Sequence, residues 1–296
     1  MFFVVFGYLC CSNLILSMRK HLYILCVTAL LVGCSQPQKT ATNTMVVSIM
    51  PLKYIVENIV GDDFNIDVVV PAGASPETYE PTPAQMERIE NADMIFAVGL
   101  MGFEQATIER MTQSARNRYI ALSDGIELHG EHAHHGCHEG ANPHLWTSPQ
   151  ELKLMSDNAY RAIAAAYPDS TKYAHSYEML CDRLDSLERE VAVRCEALPS
   201  RSFVIYHSTF HYLAEHYNLN EIAIEHDGKE PSAKHIREVI DKARTENATK
   251  VFYQKEFPQS VVQTIATELN SQPIEVDILE ADVPRMILEF IDKLAE

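Results

Sequence analysis

Positive charge is scarce in this 296-residue chain: 24 Lys and Arg stand against 41 Asp and Glu, a formal net of −17. A phosphate-rich partner needs a basic footprint, so nucleic acid is excluded as the ligand. Only 11 Gly and 14 Pro occur, which removes the collagenous and broadly disordered classes. There is no H-E-x-x-H helix, no Gly-x-Ser-x-Gly elbow and no Cys–His pair on plausible elements. What is left, at 47% hydrophobic and 22% charged residues, is a packed globular body long enough for two compact lobes or one large domain. The acidic excess favours solubility and mildly raises the local cation concentration without choosing a cation.

A disulfide framework is missing too, although seven Cys are present. Met18-Arg19-Lys20-His21 is a short basic stretch, and Leu22 to Val32 is an apolar run shorter than the ~20 residues that span a bilayer. Leu31-Val32-Gly33-Cys34 reads as a lipobox, so residues 1–34 form a signal region and Cys34 is the expected lipidation site. Met1 to Ser17 carries no charge and precedes a complete signal, which makes Met18 the expected start; a single membrane helix over residues 1–33 is the competing reading. Processing would discard Cys10, Cys11 and Cys26 and take the net charge from −17 to −19, because residues 1–33 hold two basic and no acidic side chains. Ser35 to Thr44 reads as a polar tether. The expected location is periplasmic or cell-surface, held to a bacterial membrane by lipid. Cys181 and Cys195 share one predicted helix, 14 residues or roughly 21 Å apart, and cannot be bridged; no intrachain disulfide is expected.

Short apolar runs alternate with amphipathic stretches, the pattern of an α/β fold. Strands are predicted at Met45 to Ile49, Asn65 to Val70, Asp93 to Val98 and Tyr119 to Leu122, then at Ser202 to Tyr206, Glu221 to Glu225, Lys250 to Tyr253 and Ile274 to Val276. Helices fill the gaps at Leu52 to Val60, Thr82 to Asn91 with Thr82 as cap, Phe103 to Gln113, and near 209–217, 232–245 and 258–270. Ser148-Pro149-Gln150-Glu151 has the form of a capping box opening a helix to Ala166. From Thr171 to Leu198, Tyr173, Tyr177, Leu180, Leu184, Leu187 and Val191 recur at helical spacing over roughly 40 Å. Fewer than three heptads argue against a coiled-coil dimer, so a monomer with a rigid connecting helix is expected. The domains are then 45–167, 168–199 and 200–296: an N-terminal lobe, the connecting helix and a C-terminal lobe.

Five His crowd into ten residues at His129, His132, His134, His135 and His138, accompanied by Glu131, Cys137 and Glu139. So many imidazoles have little use in a core, and neutral imidazole is the commonest zinc ligand, so loop 129–139 is expected to be a mobile, adaptable metal trap; a merely solvated polar loop is the alternative. A specific site needs fixed ligands at strand ends facing a cleft. Glu77 lies in the turn-rich loop after Val70, His144 follows Asn142-Pro143, His207 directly follows the strand ending at Tyr206, and Asp277 follows the strand ending at Val276. Alone, a His at a strand end is more often a hydrogen-bonded structural residue. Together, two imidazoles and two carboxylates, two from each half, form a closed four-coordinate set that neutralises a 2+ ion.

From about Val46 onward the sequence resembles the metal-binding solute-binding proteins of ABC importers, the zinc- and manganese-uptake group called TroA-like or ZnuA-like. The resemblance rests on Ala74-Ser-Pro-Glu-Thr-Tyr-Glu-Pro-Thr-Pro83, Asn142-Pro-His-Leu-Trp146, Tyr206-His-Ser-Thr-Phe210 with Tyr212-Leu-Ala and Tyr217-Asn-Leu219, Glu230-Pro-Ser232, and Val251-Phe252 to Phe257. The His-rich insert before Asn142 is similar to that of the zinc-uptake members. Membership implies two small parallel-sheet βα lobes joined by one long α-helix and closing little on the ligand, with metal positions falling on Glu77, His144, His207 and Asp277. The usual first ligand is His, and Glu77 in its place makes Mn²⁺ or Fe²⁺ more admissible beside Zn²⁺. Gln254 stands where an acidic residue is common. The implied role is high-affinity capture of Zn²⁺ for an ABC permease, with no catalysis; a manganese or iron homologue, a zinc-dependent periplasmic hydrolase and a metal-buffering or adhesive lipoprotein are the competing readings. Affinity is expected to fall below about pH 6 as His144 and His207 protonate.

Overall fold

Among the described residues, eight short strands, all paired in parallel, build two separate four-stranded sheets. The structure is a computed structural model that describes residues 43–110, 118–129, 140–225, 231–257 and 259–296. The signal region with Cys34 and the loop histidines His132, His134, His135 and His138 lie outside the described residues, as does Cys137.

In the first lobe β1 (Thr44–Val47), β2 (Asn65–Val68), β3 (Met94–Ala97) and β4 (Tyr119–Ala121) lie in the order β2-β1-β3-β4. A parallel pair cannot be closed by a hairpin, so helices α1 (Met50–Val60) and α2 (Pro83–Asn91) carry crossovers. Thr82 caps α2 as its sequence predicts, its hydroxyl accepting from Gln85 N while Gln85 Oε1 accepts from Thr82 N at 2.8 Å. The helix expected over Phe103 to Gln113 is a π-helical turn at Glu104–Glu109 among the described residues. The buried Glu104 carboxylate takes the N–H groups of Val98 at 2.9 Å and Gly99 at 2.7 Å, closing the loop after β3. Gly99 has φ +93°, and a Cβ there would stand 2.6 Å from the Cβ of Ala121, so this turn requires glycine.

Two helices follow. Helix α3 (Pro149–Ala166) begins at the expected proline, but the Ser148–Glu151 capping box is not formed. The Ser148 hydroxyl donates to Gln150 Oε1 at 3.2 Å, and Glu151 Oε1 instead faces His216 Nε2 at 2.7 Å. A buried carboxylate with a ring nitrogen in reach is better satisfied there than by reaching back to the helix start. Helix α4 (Thr171–Glu196) buries Tyr173, Leu180, Leu184, Leu187, Val191 and Cys195. Tyr177 is only half-buried and stacks on Tyr160, with ring centroids 4.2 Å apart and planes within 3°. Cys181 and Cys195 are free thiols.

The second lobe repeats the first sheet's order, with β5 (Ser202–Ile205), β6 (Asn220–Ala223), β7 (Val251–Gln254) and β8 (Pro273–Val276) arranged β6-β5-β7-β8. Helices α5 (His211–His216), α6 (Ala233–Thr245) and α7 (Gln259–Glu268) link them. Each ends the same way: Asn218, Asn247 and Asn270 take φ of 52°, 55° and 53°, and the next residue donates back to the carbonyl of Ala214, Ala243 or Ala266 at 2.8 Å. Asparagine tolerates this left-handed geometry, which turns the chain sharply toward the next strand.

A last helix, α8 (Val283–Ala295), was absent from the expected elements. Its Phe290 stacks on Phe210 at 3.7 Å and meets Phe203 at 5.2 Å, fastening α8 to the second sheet. Helix α4 packs on α1 and α3 on one side and on α8 on the other, which is why one apolar cluster runs unbroken from Val46 and Phe96 through Trp146 and Leu184 to Phe252 and Phe290. A second, smaller cluster under α6 and α7 includes Val204, Ile222 and Val262. Trp146 is fully buried in the large cluster and donates Nε1–H to Ile278 O across the lobes at 2.7 Å. Trp146→Ala should therefore destabilise the body by about 3–5 kcal/mol in urea titrations, and both parent and variant should unfold in one cooperative transition because the core is shared. Two separated transitions in the parent protein would contradict a shared core.

Candidate metal centre

In an open parallel sheet, ligands collect beyond the carboxyl ends of the strands, where neighbouring connections diverge to opposite sides. In the second lobe that point lies between β5 and β7, and His207 and Gln254 stand there. Glu77 comes from the loop after β2 and His144 from the segment after β4. Ligand atoms of Glu77, His144 and His207 all lie within 4.8 Å of one another, the one such group of potential metal ligands among the described residues. The space beside them is about 20 Å³, room for about one water-sized particle and too small for a sugar or an amino acid.

Each of these side chains is held by identifiable neighbours. The Glu77 loop is pinned by Gln85, whose Nε2 donates to Val69 O at 2.5 Å and whose Oε1 accepts from Tyr79 Oη at 2.9 Å. His144 is buried, and both its backbone N and its Nδ1 meet Asn142 Oδ1, at 2.9 and 2.8 Å. An amide oxygen only accepts, so Nδ1 carries the proton and Nε2 is left with its lone pair. The Asn142 amide in turn donates to Ser208 O of the second lobe at 2.8 Å. His207 sits between two carboxylates, with Glu225 Oε2 at 3.0 Å from Nδ1 and Glu77 Oε1 at 2.5 Å from Nε2. Phe257 stacks against the His207 ring at 5.4 Å. Behind the loop, the half-buried Glu221 takes Thr209 N–H at 2.9 Å, and desolvation of its carboxyl pushes it up to about 7.

The two imidazoles are tuned in opposite directions. Burial, with the nearby His207 charge, holds His144 well below its usual range, so it is neutral and ready to ligate. Burial also opposes protonation of His207, but Glu225 and Glu77 outweigh it and hold the imidazolium up to about 9. At neutral pH the ring therefore carries a proton held between the two carboxylates.

Asp277 is not brought into this group: its Oδ2 takes Lys255 Nζ at 2.7 Å and its Oδ1 takes Leu279 N–H at 3.0 Å. The strand-end rule placed Asp277 on the correct edge of the sheet, but β8 is the outer strand and the ammonium at the end of the neighbouring strand claims its carboxylate. Of the loop histidines, His129 is described; its Nδ1 lies 3.0 Å from Glu215, and Asn142 N donates to His129 O at 2.9 Å. Glu225, unread in the sequence, follows β6 at the end of a predicted strand, where the rule that selected His207 also applies.

The comparisons agree with this geometry. Residues 45–295 match the family described as "Zinc-uptake complex component A periplasmic". A crystal structure of ZnuA superposes with TM-score 0.79 at 31% identity, covering 85% of this chain and 97% of that one. A zinc-bound ZnuA deletion mutant lacking 138–173 superposes with TM-score 0.77 at 32% identity, covering 85% and 96%. The zinc-binding lipoprotein AdcA of Streptococcus pneumoniae strain R6 is 25% identical over 269 residues, 84% of this chain and 52% of AdcA, so the chain spans about half the length of that relative. A matched family spanning nearly the whole folded body, the repeated βα lobes and the convergent Glu77, His144 and His207 lead to one conclusion: the chain belongs to the family of periplasmic zinc-uptake component A proteins.

Proposed function

We propose that this chain captures a single divalent transition metal outside the cytoplasm, Zn²⁺ foremost, and hands it to an ABC import permease without catalysing a reaction. The observation that carries this reading is the convergence of one carboxylate and two imidazoles from opposite lobes on a space fit for one ion. Two nitrogens and an oxygen suit Zn²⁺, and the Glu77 oxygen keeps Mn²⁺ and Fe²⁺ admissible. A zinc-bound structure of a 32% identical relative supports the cargo. Lipidation at Cys34 would hold the body at the membrane, and loop 129–139 would supply the first, weak contacts before the ion passes to the buried set.

Glu225 acts as a positioning residue. By accepting from Nδ1 of His207 it directs the Nε2 lone pair at the ion and raises the basicity of the ring. In a chelator-competition titration with Zn²⁺, Glu225→Gln should weaken binding about 10–100-fold, whereas His144→Ala, which removes a ligand outright, should weaken it by more than about 100-fold. Full affinity in His144→Ala would overturn the assignment of the site.

The pH profile follows from the same contacts, and it moves the onset expected near pH 6. His207 is raised to about 9, so in the metal-free protein its contribution to stability is complete below about 6.5 and is lost as pH rises through 9. The metal must expel that proton, so affinity should climb roughly tenfold per pH unit up to about 9 and then level off. His144, neutral well below 6.5, adds no step in this window. Calorimetry in buffers of different ionisation heat should find close to one proton released per Zn²⁺ at pH 7.5. A profile flat between pH 7 and 9 would show that His207 is not displaced by the ion.

A further inference from the structure

Three ligands leave a four-coordinate zinc ion one donor short. Asp277, the obvious fourth by sequence, is committed to Lys255 and to Leu279 N–H. Gln254 offers a better-placed alternative. It is the last residue of β7, it is buried, and it lines the same small cavity as Glu77, His144 and His207. Its Nε2 donates to His207 O at 3.0 Å and to Thr209 Oγ1 at 2.9 Å. A backbone carbonyl cannot donate, so the orientation of the amide is fixed by chemistry: nitrogen toward His207 O, oxygen away from it. That oxygen, Oε1, is fully buried and has no hydrogen-bond partner among the described residues. Leaving an amide oxygen buried and unpaired costs about 1–3 kcal/mol, a burden that a cation in the cavity would lift.

We infer that Gln254 Oε1 is the fourth metal ligand of this site, a neutral oxygen supplied by the second lobe beside His207. The inference rests on the reading of Glu77, His144 and His207 as the other three. The set is then two nitrogens and two oxygens carrying one formal negative charge, with Glu225 behind His207 supplying the second. A neutral amide oxygen binds a divalent ion less tightly than a carboxylate and discriminates less between Zn²⁺ and harder ions. Gln254 thereby links metal release to the loop after β5, because the amide that offers Oε1 to the ion also holds that loop through its nitrogen.

The test uses the folded chain with Zn²⁺ and with Co²⁺ as a visible-absorption reporter, in the parent and in Gln254→Leu, Asp277→Asn and His144→Ala. Gln254→Leu should weaken both ions by about tenfold or more and shift the Co²⁺ absorption, while Asp277→Asn leaves both within about threefold of the parent. Because Leu also removes the Nε2 bonds to the loop, a second measurement leaves the chain intact: the Gln254 side-chain amide resonances, assigned by their loss in Gln254→Glu, should shift when Zn²⁺ is added to the parent. Unmoved amide resonances, or a loss in Asp277→Asn with none in Gln254→Leu, would overturn the inference. If His144→Ala also bound normally, the three-ligand reading itself would have failed; if it did not bind while Gln254→Leu did, only the fourth ligand would be wrong.

Discussion

One unbroken apolar seam sets the distance between the two sheets, and the metal centre inherits its geometry from that distance. The seam runs from Val46 and Phe96 through Trp146 and the α3–α4 pair to Phe252 and Phe290. Polar contacts sit on it where the lobes meet: Trp146 Nε1 to Ile278 O, Asn142 to Ser208 O, and Thr147 Oγ1, which lies 2.7 Å from Thr209 O. Opening the lobes widely would expose much of this core to water, at about 25 cal/mol per Å². Lobes joined this way have little freedom to hinge, so movement at the site falls to the loops at the strand ends.

Those loops are under electrostatic control rather than apolar packing alone. Glu77 and Glu225 grip one imidazole from two sides, and without a cation a proton holds the three together. Across the cavity His144 is kept neutral by burial, aligned by Asn142 and edge-on to His207 with ring centroids 5.2 Å apart. The site is therefore prepared in an asymmetric way, one nitrogen free and the other exchanged for a proton. The carboxylates that favour that proton, Glu225 tucked behind the ring and Glu77 exposed in front of it, would favour a divalent ion more strongly.

The fold was legible because each strand of a covered parallel sheet is an apolar run and each crossover helix carries a stripe; Met94–Ala97, Val251–Gln254 and the spacing from Tyr173 to Val191 are direct examples. Helix α8 carries an equally plain stripe from Met286 to Leu294 and was legible but unread. The Ser148–Glu151 box had the correct spelling yet lost its glutamate to His216, a partner 65 residues away that no local pattern reveals. At the site, the structure brings together Glu77, His144 and His207, three of the four residues that their loop positions singled out. Asp277, named by the same rule, stands apart from them and pairs with Lys255, a neighbour that no local pattern reveals. Glu225 and Gln254 also stand at strand ends, but their parts in the site depend on His207, which faces them from the neighbouring strand.

The bond from Asn142 N to His129 O, with Tyr212 Oη bracing both residues from the second lobe, closes a neck at which two residues thirteen apart in sequence meet. Whatever is spliced in between these two residues enters and exits through one doorway, and the register of β4, of His144 and of α3 is indifferent to its length. A histidine tract of another length or composition can therefore be fitted at this neck as independently as a tool is changed on a fixed handle, leaving Glu77, His144 and His207 where the two sheets put them.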